Sequence, residues 1–260
     1  MTLLNAVRRL WATDEVPDEL ASAGVTPEDI GKLREQFEEE ADKPPRIALV
    51  GETGVGKTST INALFNKGLE ISHGKACTKE EAEVVGSRGG TIVIVDLPGV
   101  GEDLDADEAH FEKYARVLPT VDLVVWILKA DNRAMTNVQR ALKRLVADKS
   151  LDPRRLVLAL NQADQVQPGE WDVTINLPSE EQEATIEERR KDVLEKVQKV
   201  VKLANDQIVA YSAKTFYNLD PLFVAMLKAC DERRSWLLHE RADCADFNSL
   251  VQLDAEEGKS

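Results

Sequence analysis

One short segment has a residue spacing that is specific for phosphate binding. Residues 51–58 read G-x-x-x-x-G-K-T, directly after the apolar run 46–50 and directly before a helix-forming segment. The glycines let the backbone curl so that successive N–H groups face a phosphate at a helix N-terminus. In this motif Lys57 contacts the β- and γ-phosphates and Thr58 ligates Mg2+, whereas a plain connecting turn would need neither residue. The residues predicted to hold the nucleotide here are Gly51, Glu52, Thr53, Gly54, Val55, Gly56, Lys57, Thr58 and Ser59.

A second pattern follows the apolar strand predicted near 91–96. Asp96-Leu97-Pro98-Gly99 would place the Asp96 carboxylate close to the metal and the Gly99 N–H at the γ-phosphate. Thr78 is the only threonine between the helix after the phosphate loop and this strand's hairpin, so it is the candidate to reach Mg2+ from a mobile loop. The simpler alternatives are an N-capping aspartate in an ordinary turn and an ordinary loop threonine.

A third pattern follows the apolar strand predicted near 155–160. It reads N-x-x-D and lies at the carboxyl end of a strand, where α/β sheets bind ligands. Asp164 can accept hydrogen bonds from N1 and N2 of guanine, and adenine lacks donors in that arrangement. After the last predicted strand, Ser212-Ala213-Lys214 would present the Ala213 N–H to guanine O6. The predicted base-binding residues are Asn161, Gln162, Asp164, Ser212, Ala213 and Lys214.

In this order the motifs resemble those of translation-factor-class P-loop GTPases, and most of all those of the Era-like branch. Segment 126–134 and the connector 165–178 are also similar to a bacterial group of predicted GTPases, the YfjP type. The resemblance covers roughly residues 46–230. It implies a Mg2+-dependent molecular switch that hydrolyses GTP to GDP and phosphate. Its implied catalytic residues are Lys57, Thr78 and Gly99, and its implied metal-site residues are Thr58, Thr78 and Asp96.

Four positions depart from the family pattern, and a fifth residue, Arg133, has two possible roles. Gln162 replaces the lysine of N-K-x-D, whose stem would pack on the base and brace the phosphate loop, so we expect modest guanine affinity. Gly54 stands where potassium-stimulated members of the Era-like group carry asparagine, which argues against potassium activation. Val100 occupies the place of the water-orienting glutamine of Ras-type enzymes, so slow hydrolysis and help from an external or dimer-supplied group are expected. Thr53 adds a side chain near the γ-phosphate, and Arg133 is either a charge-stabilising residue or a solvated loop arginine.

These site residues need a particular set of elements to position them. Apolar runs near 46–50, 82–87, 91–96, 121–128, 155–160 and 207–211 predict six strands. They alternate with helices near 57–66, 106–117, 134–148, 179–204 and 218–230, so we expect a three-layer α/β P-loop GTPase fold with a mostly parallel sheet. The short link after 82–87 predicts one antiparallel strand.

The remaining segments are predicted to be helical additions to that domain. Residues 1–45 form an N-terminal extension in which Thr26-Pro27 starts a helix, and residues 46–230 form the GTPase domain. Residues 231–260 form a C-terminal extension that packs with the N-terminal helices. At the start of the helix near 179, Ser179 and Gln182 form a predicted capping box.

Composition narrows the classes of partner. The 260 residues include 33 Lys and Arg against 47 Asp and Glu, a net charge of −14 that argues against nucleic acid as the main partner. The three cysteines are irregularly spaced, which predicts reduced thiols rather than a zinc site or disulfides. The sequence has neither the order of a signal peptide nor an apolar run of about 18 residues, so we expect a cytoplasmic protein that does not enter the membrane.

Two other classes of function stay open at this stage. One is a nucleotide-gated assembly protein, septin-like or immunity-GTPase-like, which would form a homodimer across the nucleotide face and turn over little GTP. The other is an ATPase, which only Gln162 leaves open. The protein effector of a switch is not encoded in these motifs. The acidic run 103–107 lacks the glycine and the closing glutamate of a calcium loop, so it is interpreted as a solvated loop.

Overall fold

The computed structural model describes residues 22–65, 81–85, 91–100, 104–231 and 234–242. The chain divides into two compact units, 1–44 and 45–260. In the first unit, helix α1 (Pro27–Asp42) begins where the sequence predicts it. The Thr26 hydroxyl accepts a hydrogen bond from the Asp29 N–H at 3.2 Å, and Asp29 Oδ2 accepts one from the Thr26 N–H at 2.9 Å. These reciprocal bonds satisfy backbone donors that the first helical turn leaves free.

The second unit contains eight strands: β1 (Arg46–Val50), β2 (Glu81–Val85), β3 (Thr91–Leu97), β4 (Leu123–Lys129), β5 (Leu156–Asn161), β6 (Trp171–Asp172), β7 (Leu177–Pro178) and β8 (Ile208–Ala210). Six of them form one sheet with the order β2-β3-β1-β4-β5-β8. Strand β2 runs antiparallel to β3, and the other neighbouring pairs are parallel, so the predicted α/β fold with one reversed strand is confirmed. A separate two-stranded hairpin joins β6 to β7.

Helices cover both faces of this sheet. They are α2 (Lys57–Phe65), α3 (Leu104–Val117), α4 (Thr136–Ala147), α5 (Glu180–Gln198), α6 (Leu219–Ala229) and α7 (Ser235–Ala242). Alternate side chains of each central strand point to opposite faces, so the sheet separates two apolar clusters. One contains Trp126 and Tyr114 against α3, α4 and α5, and the other contains Ile127 and Met226 against α2 and α6. Because helices cover both faces of the sheet, a ligand-binding site is expected at the carboxyl ends of the parallel strands.

Three parts of the fold differ from the sequence prediction. Residues 104–107, interpreted from the sequence as part of a solvated loop, form the first turn of α3 (Leu104–Val117). Helix α5 ends at Gln198 rather than near 204, because Val201 and Leu203 turn into the core and are at most 5% exposed. The Gln198 side-chain amide donates to the Leu203 carbonyl at 3.1 Å and holds that turn. The hairpin β6–β7 was not predicted, since two-residue strands have no hydrophobic period to read.

The predicted C-terminal helix is present as α7. Leu238 of this helix is fully buried in the apolar cluster around α6. Arg234, just before the helix, has its Nε 3.6 Å from Asp122 Oδ1. The packing of residues 231–260 against the N-terminal helices stays a prediction. Buried Cys230 ends α6, and burial raises the pKa of its thiol to about 12, so it stays protonated and unreactive. Cys77 and Cys244 lie outside the described residues.

Within the ranges that the structure describes, no helix combines the length and the apolar composition needed to cross a membrane.

Candidate functional site

The phosphate loop occupies the turn from β1 to α2. Gly54 and Gly56 have φ angles of +81° and +93°, a region that residues with a Cβ rarely adopt. A Cβ on Gly56 would lie 2.3 Å from Asn161 Nδ2, whereas one on Gly54 would meet no atom within 4 Å. Gly56 is therefore required both by its backbone angle and by the close approach of the third motif.

We expect Gly56→Ala to weaken GDP binding by at least about 10-fold, because the new methyl group must push Asn161 from its hydrogen bonds, and each such bond is worth about 1 kcal/mol. Calorimetric titration with GDP and Mg2+ measures the loss. Gly54→Ala is the matched control, since it introduces the same backbone strain without the collision. Equal losses for the two variants would show that the contact with Asn161 is not important for binding.

Lys57 lies folded against the phosphate loop. Its Nζ donates to the Gly51 carbonyl at 2.7 Å and to the Glu52 carbonyl at 3.3 Å, and it is 3.9 Å from Asp96 Oδ1. The side chain is only 16% exposed. One ammonium therefore links the first and second motifs of the sequence.

The D-x-P-G turn lies directly against the phosphate loop. A Cβ on Gly99 would lie 2.5 Å from the Glu52 nitrogen, so this approach also requires glycine. The Tyr114 hydroxyl donates to the Pro98 carbonyl and His110 Nδ1 lies 3.1 Å from the Gly99 carbonyl, so α3 holds the turn in place. The contact of His110 with this turn has no signal in the sequence.

Asp96 projects from the end of β3 with a side chain that is 63% exposed. Partial burial raises the pKa of Asp96, and the nearby Lys57 ammonium opposes that rise. Val100, by contrast, is 3% exposed and belongs to the apolar core. Its side chain therefore packs in the core, and the slow hydrolysis expected from its apolar character stays a prediction.

Asn161 joins the phosphate loop to the base-binding loops. It is 3% exposed, its Nδ2 donates to the Val55 carbonyl at 2.8 Å, and its Oδ1 accepts from the Ala213 N–H at 3.0 Å. Both ends of the amide are thus used within the protein. The predicted bond from the Ala213 N–H to guanine O6 requires that this donor be shared with Asn161 or released by it.

Gln162 partly replaces the lysine that the family pattern leads one to expect. Its Nε2 donates to the Gly54 carbonyl at 3.1 Å, from a backbone in the left-handed region with φ +66°. The expectation that this position no longer braces the phosphate loop is therefore wrong. A neutral amide supplies the hydrogen bond but lacks the charge of an ammonium.

Asp164 carries an unpaired buried oxygen. Its Oδ1 is buried, and no hydrogen-bond partner for it exists among the residues that the structure describes. Leaving a buried acceptor without a donor costs about 1–3 kcal/mol, and more for a charged group. A ligand with adjacent N–H donors would remove that cost, which matches the predicted recognition of guanine N1 and N2.

The Ser212-Ala213-Lys214 loop is supported from within. Ser212 is fully buried and its Oγ accepts from the Thr215 N–H at 3.2 Å, while its own N–H donates to the Tyr217 carbonyl at 3.0 Å. Lys214 is exposed. Thr58 and Ser59 are also exposed, at the start of α2, and Thr78 lies outside the described residues.

Two supports of the site were missed by the sequence analysis. Thr60 and Tyr211, both fully buried, share a 2.6 Å hydrogen bond that ties α2 to the end of β8. Burial raises the pKa of Tyr211 far above its usual range, so the hydroxyl stays protonated. Their separation of 151 residues leaves no local signal for this pairing.

The second missed support is the hairpin β6–β7. Asn176 Nδ2 donates to the Thr215 carbonyl at 2.7 Å. The rings of Trp171 and Tyr217 pack edge to face, with their centroids 5.0 Å apart. Trp171 Nε1 in turn donates to Asn176 Oδ1 at 3.1 Å. The hairpin therefore supports the loop that carries Ala213.

A cleft of about 480 Å3 opens beside the phosphate loop. Its lining includes Glu52 and Thr53 of the phosphate loop, Lys129 at the end of β4 and Arg133 from the loop after β4. Arg133 is exposed there, and its carbonyl accepts from Lys196 Nζ at 3.4 Å. Its position is compatible with either of the two roles that the sequence leaves open.

The chain is similar to several known proteins. Residues 46–162 match the family model described as 50S ribosome-binding GTPase. Over 141 residues the chain is 34% identical to the protein YkfA and 30% identical to the protein YfjP, both of Escherichia coli K12. Each alignment covers 53% of this chain and 48% of the relative, so the chain spans about half the length of these curated relatives.

The fold also matches a solved structure. LeoA, a bacterial dynamin GTPase from ETEC, superposes with a TM-score of 0.58 at 15% identity, over 96% of this chain and 46% of LeoA. The unit built on the six-stranded sheet therefore has the α/β P-loop GTPase fold, and the chain is similar in sequence to YkfA and YfjP. The resemblance to the YfjP type is thereby confirmed, while assignment to the Era-like branch stays a prediction.

Proposed function

We propose that this protein binds GTP and GDP together with Mg2+, hydrolyses GTP slowly and acts as a conformational switch of the Era-like kind. The observation that carries the proposal is the position of Asn161. Its one buried amide bonds the Val55 carbonyl of the phosphate loop and the Ala213 N–H of the last loop. Three motifs far apart in the sequence are thereby combined in one site.

The choice of guanine rests on Asp164. An unpaired buried carboxylate oxygen favours a base with donors at N1 and N2 and penalises adenine. This supports GTP over the ATPase alternative that Gln162 left open. The donor from Gln162 to the Gly54 carbonyl keeps the phosphate loop braced, but without a charged stem over the base we still expect modest affinity.

The residues near the phosphate loop suit a hard metal ion. Thr58 and Asp96 offer oxygen ligands, which Mg2+ prefers, and both side chains are exposed at the loop. In this proposal Thr58 ligates the ion, Asp96 supports it, and Thr78 approaches from the segment before β2. When bound, Mg2+ would neutralise charge on the β- and γ-phosphates.

The hydrolysed bond is the β–γ phosphoanhydride, with water as the attacking group. Lys57 would exchange its carbonyl partners for phosphate oxygens, while loop N–H groups and the Gly99 N–H stabilise charge on the transferring group. Val100 is buried and offers nothing to orient the water, so the intrinsic rate should be low. Loss of the γ-phosphate would release the Gly99 turn, and an effector protein would sense that change.

The burial of Val100 also favours a second candidate, an assembly protein that dimerises across its nucleotide face and turns over little GTP. Phosphate release and light scattering, measured on the same samples with GDP, GTP and a non-hydrolysable GTP analogue, separate the two. Slow release from a particle of constant mass supports the switch. A doubled mass with the analogue supports assembly, and faster release with ATP than with GTP would contradict both. A cytoplasmic location stays a prediction from the sequence.

A further inference from the structure

Gln182 is the only fully buried glutamine among the residues that the structure describes, and it lies beside the predicted base-binding loop. It stands in the first turn of α5, where the sequence predicts half of a capping box. The Ser179 Oγ does accept from the Gln182 N–H at 3.2 Å. The reciprocal bond is absent, because the Ser179 N–H donates to the Glu170 carbonyl at 2.8 Å. The Gln182 side chain is therefore available for another contact.

That contact is with the turn that carries Asp164. Gln182 Nε2 lies within hydrogen-bond distance of three carbonyl oxygens: Val166 at 2.8 Å, Asp164 at 3.3 Å and Ala163 at 3.4 Å. The turn is a single 3-10 segment that starts from the left-handed Gln162, and the Ala163 N–H ties it to the Tyr211 carbonyl at 3.1 Å. One amide group from α5 holds its carbonyls on one side.

Burying the Gln182 side chain in this position has an energetic cost. Gln182 Oε1 is buried and has no hydrogen-bond partner among the described residues. Leaving an acceptor unpaired costs about 1–3 kcal/mol, and an apolar side chain of similar shape would avoid that cost. The donor groups of Gln182 must therefore supply something that an apolar residue cannot.

We propose that Gln182 is a positioning residue for guanine recognition: it fixes the 163–166 turn so that the Asp164 carboxylate faces N1 and N2 of the base. This rests on the proposed function and adds to it a residue that sets base specificity without touching the base. Gln162 lacks the charged stem of the family pattern, so base selection depends all the more on where Asp164 points.

The test compares GDP with IDP, which lacks the 2-amino group and so loses one of the two bonds to Asp164. A hydrogen bond to a charged group is worth about 1.5–3 kcal/mol, so the wild-type protein should prefer GDP by about 10-fold or more. Gln182→Met removes the donors but keeps the volume. We expect its GDP-to-IDP preference to fall at least about 5-fold, with calorimetry giving both dissociation constants.

A control variant and a second Gln182 variant separate positioning from general destabilisation. Gln139 also donates its amide to a backbone carbonyl, that of Lys196 at 2.6 Å, so Gln139→Met makes the same chemical change on α4. It should leave the GDP-to-IDP preference unchanged. Gln182→Leu is a second variant in case the methionine variant folds poorly, and circular dichroism confirms folding of each protein.

The outcomes distinguish the inference from the function on which it rests. Equal weakening of GDP and IDP in a folded Gln182 variant, with the preference intact, would overturn the positioning role and leave guanine binding in place. Failure of the wild-type protein to bind either nucleotide would instead overturn the proposed function. A lowered preference in both Gln182 variants, but not in Gln139→Met, supports the inference.

Discussion

Lys57→Ala is expected to reduce the affinity for GTP by at least about 100-fold, because the variant loses charge-assisted hydrogen bonds worth about 1.5–3 kcal/mol each. The structure adds a second reason. Lys57 Nζ also holds the Gly51 and Glu52 carbonyls, so its removal frees the backbone that has to present N–H groups to the phosphates. Calorimetric titration with GTP in the presence of Mg2+ measures the effect.

Lys143→Ala is the matched control for this prediction. Lys143 is exposed on α4, so its replacement makes the same change in net charge away from the phosphate loop. We expect its GTP affinity to equal that of the wild-type protein. Undiminished binding by Lys57→Ala would refute the assignment of residues 51–58 as the phosphate site.

Asp164→Asn is expected to change which base the protein selects. The neutral amide can no longer accept from both N1 and N2 of guanine, but it can donate to the 2-oxo group of xanthine. Since a site built on such polar pairs discriminates by up to about 10⁴-fold, we expect the preference for GTP over XTP to fall by at least about 100-fold. Competition of GTP and XTP for a fluorescent GDP analogue gives the ratio directly.

Asp206→Asn controls for the loss of one negative charge. Asp206 forms an exposed ion pair with Lys228 at 2.9 Å just before β8, at the opposite end of that strand from Ser212-Ala213-Lys214. Its replacement should leave the GTP-to-XTP ratio unaltered. If Asp164→Asn behaves like this control, the base is not recognised by that carboxylate.

The sequence predicted the central elements because their signals are local. Apolar strands followed directly by G-x-x-x-x-G-K-T, D-x-P-G and N-x-x-D specify both the strand and the loop at its end. In the structure these strands are β1, β3 and β5; β3 pairs with β1, and β4 lies between β1 and β5. The short link between β2 and β3 likewise specified an antiparallel pair. These are features that a dozen residues determine on their own.

The supports of the site escaped prediction because they depend on contacts between distant residues. The bond between Thr60 and Tyr211 and the bond from Asn176 to the Thr215 carbonyl join residues with no shared pattern. Gln182 matches a capping box in the sequence. In the structure, however, the Ser179 N–H donates to the Glu170 carbonyl, and the Gln182 side chain donates to the 163–166 turn. Local rules identified the helix start but not the partner of that side chain.

The contact made by Gln162 also could not be predicted from the sequence pattern. Read as a lost lysine, it predicts an unbraced phosphate loop, but the left-handed backbone at this position carries its amide to the Gly54 carbonyl. A glutamine can reproduce the hydrogen bond of a lysine where the geometry brings it within about 3 Å of an acceptor. The family pattern alone gives no information on that geometry.

The most direct test of the account is a calorimetric titration of the purified wild-type protein with GTP and, separately, with ATP, both with Mg2+. The unpaired buried Oδ1 of Asp164 and the loops joined by Asn161 predict one site per chain that binds GTP at least about 100-fold more tightly than ATP. Equal affinity for the two nucleotides, or no binding of GTP, would contradict it.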